Sequence, residues 1–134
     1  MHVAIFHMRY KPGVPLSEIY DLSLNSEMVD ALSQVEGFIS WDIFASAAGD
    51  GSFLMLIRFE TLDGIKAWRE HPRHEPLISM GPDKLDFYAV QIVEVVKGYA
   101  WENGDYIATP ANDYYRQRSL VRSDRIPTQQ SLFG

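Results

Sequence analysis

Thr61-Leu62-Asp63-Gly64-Ile65-Lys66-Ala67-Trp68-Arg69-Glu70-His71-Pro72-Arg73-His74 is the stretch on which the reading of this chain turns. Leu62, Ile65 and Trp68 recur every third residue, which places them on one stripe of a helix. Thr61 or Asp63 can cap its start. Pro72 ends it, because the residue before a proline is pushed out of the right-handed helical region. His71 and His74 therefore fall at or just past the end of a helix that carries a Trp. In a domain of this size, such a helix end is where a pocket can open.

Upstream lies the most apolar strand of the chain, Phe53 to Phe59, whose near-uniform hydrophobicity predicts burial on both faces. It is joined to a strand from Phe38 to Ala45 through Ala48-Gly49-Asp50-Gly51, a strong hairpin turn. Before that pair, apolar residues from Leu16 to Val35 keep helical spacing, with Glu18, Asp21, Glu27 and Asp30 on or near the wet face and Gly37 suited to the C′ position. Residues 2 to 10 read as a first strand, with Val3, Ile5, His7 and Arg9 on one side and Ala4, Phe6, Met8 and Tyr10 on the other. Downstream, residues 75 to 84 are broken by prolines and Gly81, with one short helical turn expected from Pro76. Leu85 to Val96 reads as the last strand.

The order β-α-β-β-α-β predicts an α+β, ferredoxin-like fold with an antiparallel sheet and two helices on one face. Trp41, Phe44, Phe53, Phe87 and Tyr88 leave one sheet face or the other too apolar for water, so a homodimer packed sheet to sheet is expected. Residues 99 to 134 change composition towards Tyr, Asn, Asp, Ser, Gln and Arg. They read as a C-terminal extension that docks on the dimer or trails as a tail, with a short helix from Tyr114 to Val121.

The chain has 134 residues, 46% of them hydrophobic, which is enough for one domain with one core. It has no Cys, which removes disulfides, thiolate metal sites and Cys nucleophiles. A net charge of −6 speaks against nonspecific nucleic-acid binding. The N-terminus lacks a signal-peptide pattern and no apolar run approaches the roughly 20 residues that span a bilayer. A cytoplasmic protein with no membrane or nucleic-acid partner is expected.

Val35-Glu36-Gly37-Phe38-Ile39, the strand Leu54 to Phe59, Ala67 to His74 and Val93-Glu94-Val95-Val96 occur in an order and spacing that resembles the antibiotic biosynthesis monooxygenase domain family. The resemblance covers about residues 2 to 98. It implies a dimeric α+β barrel with a pocket in each subunit between sheet and helices. Several members oxidise phenolic, anthrone or quinol compounds with O₂ and without metal or flavin; others cleave heme, and others are not oxygenases.

Cofactor-free oxygenation needs a dry aromatic pocket, a base, and groups that hold an oxyanion. Trp68, Trp41, Phe44 and Phe6 are candidates to line the pocket. His74, then His71 and His7, are candidate bases, since imidazole titrates near neutral pH. Arg58 or Arg9 can hold an anion. Each has a plainer alternative. Trp68 and His7 can be core, His74 can close a helix end, and Arg58 can pair with a carboxylate. The heme-degrading pattern departs from this chain, whose first strand has no Asn and whose Ile78 stands ten residues after Trp68. Heme stays open only through His74 as an axial ligand. A metal at His71 and His74 is opposed by Pro72 between them.

Overall fold

Strand β1 (His2–Tyr10) carries apolar side chains of both parities, so it needs cover on both faces and belongs inside a sheet. A computed structural model describes residues 1–14, 26–72, 81–107 and 112–119. In it β1 is central, antiparallel to β3 (Ser52–Phe59) on one side and to β4 (Leu85–Glu94) on the other. β2 (Phe38–Ala45) pairs with the far side of β3, giving the order β2-β3-β1-β4. This is the α+β, ferredoxin-like arrangement expected from the sequence.

Register decides which residues meet. Phe6 is opposite Met55, Ala4 opposite Ile57, Met8 opposite Phe53, and Trp41 opposite Ile57, so these side chains share one face. Helices α1 (Ser26–Ser33) and α2 (Leu62–Arg69) cover that face, and Met28, Val29, Leu32, Ile65 and Trp68 join the strand residues in one buried core. The expected helix from Leu16 is described only from Ser26. Gly37 has φ +81, a conformation that costs glycine little, and it turns the chain from α1 into β2.

α2 starts after Thr61, whose backbone is extended (φ −132) and whose side chain makes no cap hydrogen bond. Asp63 in the first turn and Lys66 and Arg69 in the last complement the helix dipole. The helix closes before Pro72: the Glu70 N–H donates to Lys66 and the His71 N–H to Trp68, at 3.1 and 3.0 Å. Gly64 explains how α2 lies so close to the sheet. A Cβ there would stand 2.6 Å from Phe59 Cδ1 and 3.1 Å from the Glu36 carbonyl oxygen. Gly64→Ala is expected to destabilise by about 1–3 kcal/mol through overpacking, against a helix-propensity gain of roughly 1 kcal/mol. Urea unfolding midpoints check this, and a net stabilisation would show that Phe59 and α2 are free to separate.

β4 stands at an edge, and its apolar side chains are exposed on both faces: Val90 and Ile92 on the helix side, Phe87 and Val93 on the open side. The strand ends at Glu94, two residues before the expected end, although the Val95 N–H still donates to the Met1 carbonyl at 3.0 Å. Residues 81–84 are helical, and the rest of the turn expected from Pro76 lies outside the described residues.

The extension contains an element that the sequence reading passed over. β5 (Ala100–Glu102) and β6 (Asp105–Ile107) form a hairpin through Asn103 and Gly104, with φ +53 and +87. Two successive positive φ values are what a tight two-residue hairpin requires, and Asn-Gly is its strongest sequence signal. α3 (Asn112–Arg118) starts two residues before the expected helix. It packs against β2 of its own chain. The Arg58 guanidinium lies 3.9 Å from the centre of the Tyr115 ring, and Arg116 pairs with Glu60 at 2.5 Å. Arg118 holds both carboxylate oxygens of Glu102 and stacks 3.6 Å over Tyr114, which ties the helix to the hairpin.

Candidate functional site

All four sheet strands and two helices leave a cavity of about 450 Å³ on the covered side of the sheet. That size is ordinary for a small-molecule site. Phe6, Met8 and Tyr10 enter it from β1, Trp41 from β2, Met55 and Ile57 from β3, and Met28, Leu32 and Trp68 from the helices. Strand alternation puts the β1 residues there together, and the three-residue stripe of α2 brings Trp68 over them. Trp41 and Trp68 are almost fully buried, at 1% and 3% exposed, so the deep walls are rigid aromatic surfaces. The methionines are the adaptable part of the lining, since an unbranched thioether changes rotamer easily and contacts aromatic faces favourably.

Polar groups gather at the mouth, where β4 begins. Tyr88, Lys84 and Asp86 line it there, and Asp86 is held by Arg9 at 2.8 Å. Burial pushes the phenol of Tyr88 above its ordinary value of 10.0, while the charge of Arg69 acts in the opposite direction. Near neutral pH Tyr88 is therefore an uncharged O–H donor, suited to an oxygen on a ligand. His71 follows α2, and its ring lies 5.4 Å from the Trp68 ring at a tilt of 39°. It is half-buried beside the aromatic wall.

Of the residues singled out from the sequence, the cavity brings together Trp68, Trp41 and Phe6, with His71 next to Trp68. His7, Phe44 and Arg58 lie on the opposite, open face of the sheet. His7 is exposed and meets the edge of Phe87 at 4.9 Å; Phe44 is 55% exposed. Arg58 pairs with Asp42 at 2.8 Å, the carboxylate partner that its plainer reading anticipated. Arg9, the other anion candidate, shares that face with His7 and lies 6.0 Å from the Phe87 ring. His74 lies outside the described residues. The sequence reading missed Tyr10, Tyr88 and the methionines as pocket residues. Their signal was parity: Met8 and Tyr10 share the strand face of Phe6, and Tyr88 is opposite Met8. Among the described residues, no group of three His, Asp or Glu side chains is placed to hold a metal.

A family model described as antibiotic biosynthesis monooxygenase matches residues 1–77, more than half of the chain. The chain belongs to the antibiotic biosynthesis monooxygenase family. The match includes β1 to β3, α2 and the His71-to-His74 segment. Solved structures of the same fold include the Rv0793 protein of Mycobacterium tuberculosis, 17% identical over 72% of this chain and 96% of that one, with a TM-score of 0.63. An antibiotic biosynthesis monooxygenase is 15% identical over 72% of this chain and all of that one, with a TM-score of 0.60. A protein of unknown function from Bacteroides fragilis, described as dimeric with a ferredoxin-like fold, is 19% identical over 70% of this chain and 95% of that one, with a TM-score of 0.53. No curated protein matches the chain. Among the described residues no helix is long and apolar enough to cross a membrane.

Proposed function

We propose that this family member binds a small, flat, hydroxylated aromatic molecule in the cavity and oxidises it with O₂. The observation that carries the reading is the cavity itself, walled by Trp41, Trp68 and Phe6, with its charged lining residues Lys84 and Asp86 where β4 begins. Dioxygen is a triplet and reacts slowly with closed-shell molecules. An enolate or phenolate in a dry site bypasses that barrier by passing it one electron. A base, His74 first and His71 second, takes the proton from the enol hydroxyl of a methylene ketone, so that the former methylene carbon is the one that reacts. Electron transfer and radical recombination then form a carbon–oxygen bond, and the proton returns to give a hydroperoxide. Loss of water leaves a carbonyl, so a methylene compound and O₂ become a ketone and H₂O. Aromatic walls exclude water from the intermediate, and the Tyr88 hydroxyl donates to the developing oxyanion.

The test is oxygen uptake by metal-stripped protein with a panel of anthrones, hydroquinones and catechols, with His74→Ala alongside. Uptake above the spontaneous rate that falls to that rate in the variant is expected. Uptake at the spontaneous rate with every compound overturns the reading. A second reading, a non-catalytic barrel that binds an apolar molecule, draws on one observation. Among the described residues no histidine lines the cavity. Saturable quenching of Trp fluorescence without uptake would favour it.

The same proposal includes a homodimer. Phe44, Phe87 and Val93 leave the open sheet face apolar at both edges, and a structure of the same fold is described as dimeric. Sedimentation at micromolar concentration is expected to give a species of about twice the chain mass. A stable monomer would sink the dimer.

A further inference from the structure

β2 is the sheet edge opposite β4, so half of its backbone groups point away from β3 with no strand among the described residues to receive them. At Trp41 that need is met by one residue far along the chain. The Trp41 N–H donates to Ser119 Oγ at 3.0 Å, and the Ser119 hydroxyl reaches back to the Trp41 carbonyl at 3.5 Å. Ser119 has no exposed surface. It directly follows α3, which is fastened to the sheet by Tyr115 on Arg58 and by Arg116 on Glu60. Trp41 is the residue through which this attachment reaches the cavity, because its side chain forms a wall on the far side of the same backbone.

We infer that residues 112–119 are a strap that fixes edge strand β2, and that Ser119 is a positioning residue for the Trp41 wall of the pocket. The inference rests on the pocket reading above, and it lies outside the segment matched by the family model, residues 1–77. Two contacts that share one backbone unit are linked: a strap in place holds the indole where a flat ligand stacks, and a stacked ligand holds the strand where the strap fastens. The strap is therefore part of the binding site in energy, although it touches no ligand. A ligand that fits the pocket slows release of the strap, and loosening the strap weakens the ligand.

The experiment compares wild type, Ser119→Ala, Tyr115→Leu and Phe38→Leu as full chains. Phe38→Leu is a control for general destabilisation, since Phe38 packs edge-on against Phe59 and is not among the residues that line the cavity. Amide exchange at Trp41 is followed by NMR, and 1,8-dihydroxyanthraquinone is the binding probe, read by Trp fluorescence. Loss of one buried hydrogen bond corresponds to roughly fivefold, so Ser119→Ala is expected to speed Trp41 exchange and raise the probe Kd by about that factor. Tyr115→Leu is expected to move both in the same direction, and Phe38→Leu to leave the probe Kd within about twofold of wild type. Unchanged Trp41 exchange in Ser119→Ala overturns the strap. Faster exchange with unchanged probe affinity overturns its link to the pocket. If wild type does not bind the probe, the pocket reading falls, and Trp41 exchange alone decides whether the strap exists.

Discussion

Trp68→Ala is expected to lower stability by about 3–5 kcal/mol, the usual cost of removing a large buried aromatic side chain. Trp68 is 3% exposed and sits where the stripe of α2 meets the sheet core. Its loss would merge the space it fills with the existing cavity rather than let the core collapse, because Gly64 already brings α2 as close to Phe59 as the backbone allows. His71 would also lose the ring it leans on. Trp68→Phe keeps most of the apolar wall and is expected to cost less than half as much. Urea unfolding of both variants with probe binding alongside separates packing from recognition. A loss under about 1 kcal/mol for Trp68→Ala would mean that the indole is not part of the core packing.

Arg58→Ala carries the second large effect, through a different physics. Arg58 lies on the open face with its side chain 13% exposed, against Asp42 at 19%. It donates to Asp42 at 2.8 Å and to the buried Ser40 hydroxyl at 3.2 Å, with the Tyr115 ring stacked over it. Removing one partner of a largely desolvated pair costs more than the pair is worth, because the other charge is left behind. With some solvent access remaining, a loss of about 2–4 kcal/mol is expected for Arg58→Ala. α3 loses its stacking partner in the same step. A double-mutant cycle with Tyr115→Leu is expected to return a coupling of about 1 kcal/mol, the size of a partly desolvated cation–π contact. Additive losses would show that the stacking carries no energy. High salt is expected to change the result little, because the pair is shielded by the sheet and by Tyr115.

These two residues also show what was legible in the sequence. The bounds of β1 and β2 and the helical stripe of α2 follow from periodicity, and periodicity is what burial selects for. Trp68 and Trp41 were found as pocket residues because large aromatics on core stripes have few other places to go. Parity also separates Phe6 from His7, and Trp41 from Phe44, by one sheet thickness. Reading type without parity grouped side chains that the pleat keeps apart. Arg58 needed its neighbours: Asp42 is close only through the β2–β3 register, and Tyr115 only through the folded extension. The Ser119 contact with Trp41 spans 78 positions and left no trace in local pattern. The Asn103-Gly104 turn was legible, but its flanking strands are 3 residues each, too short for periodicity to show them.

β1 is first in the chain and central in the sheet, and it pairs with a strand whose end, Glu94, lies opposite His2. That placement sets the tempo of folding. The β2–β3 hairpin can zip locally, but the middle of the sheet waits for contacts between distant parts of the chain. Each of those pays loop-closure entropy before it gains any burial. β1 gains one neighbour once the β2–β3 hairpin has formed, but its other edge stays open until β4 has been made.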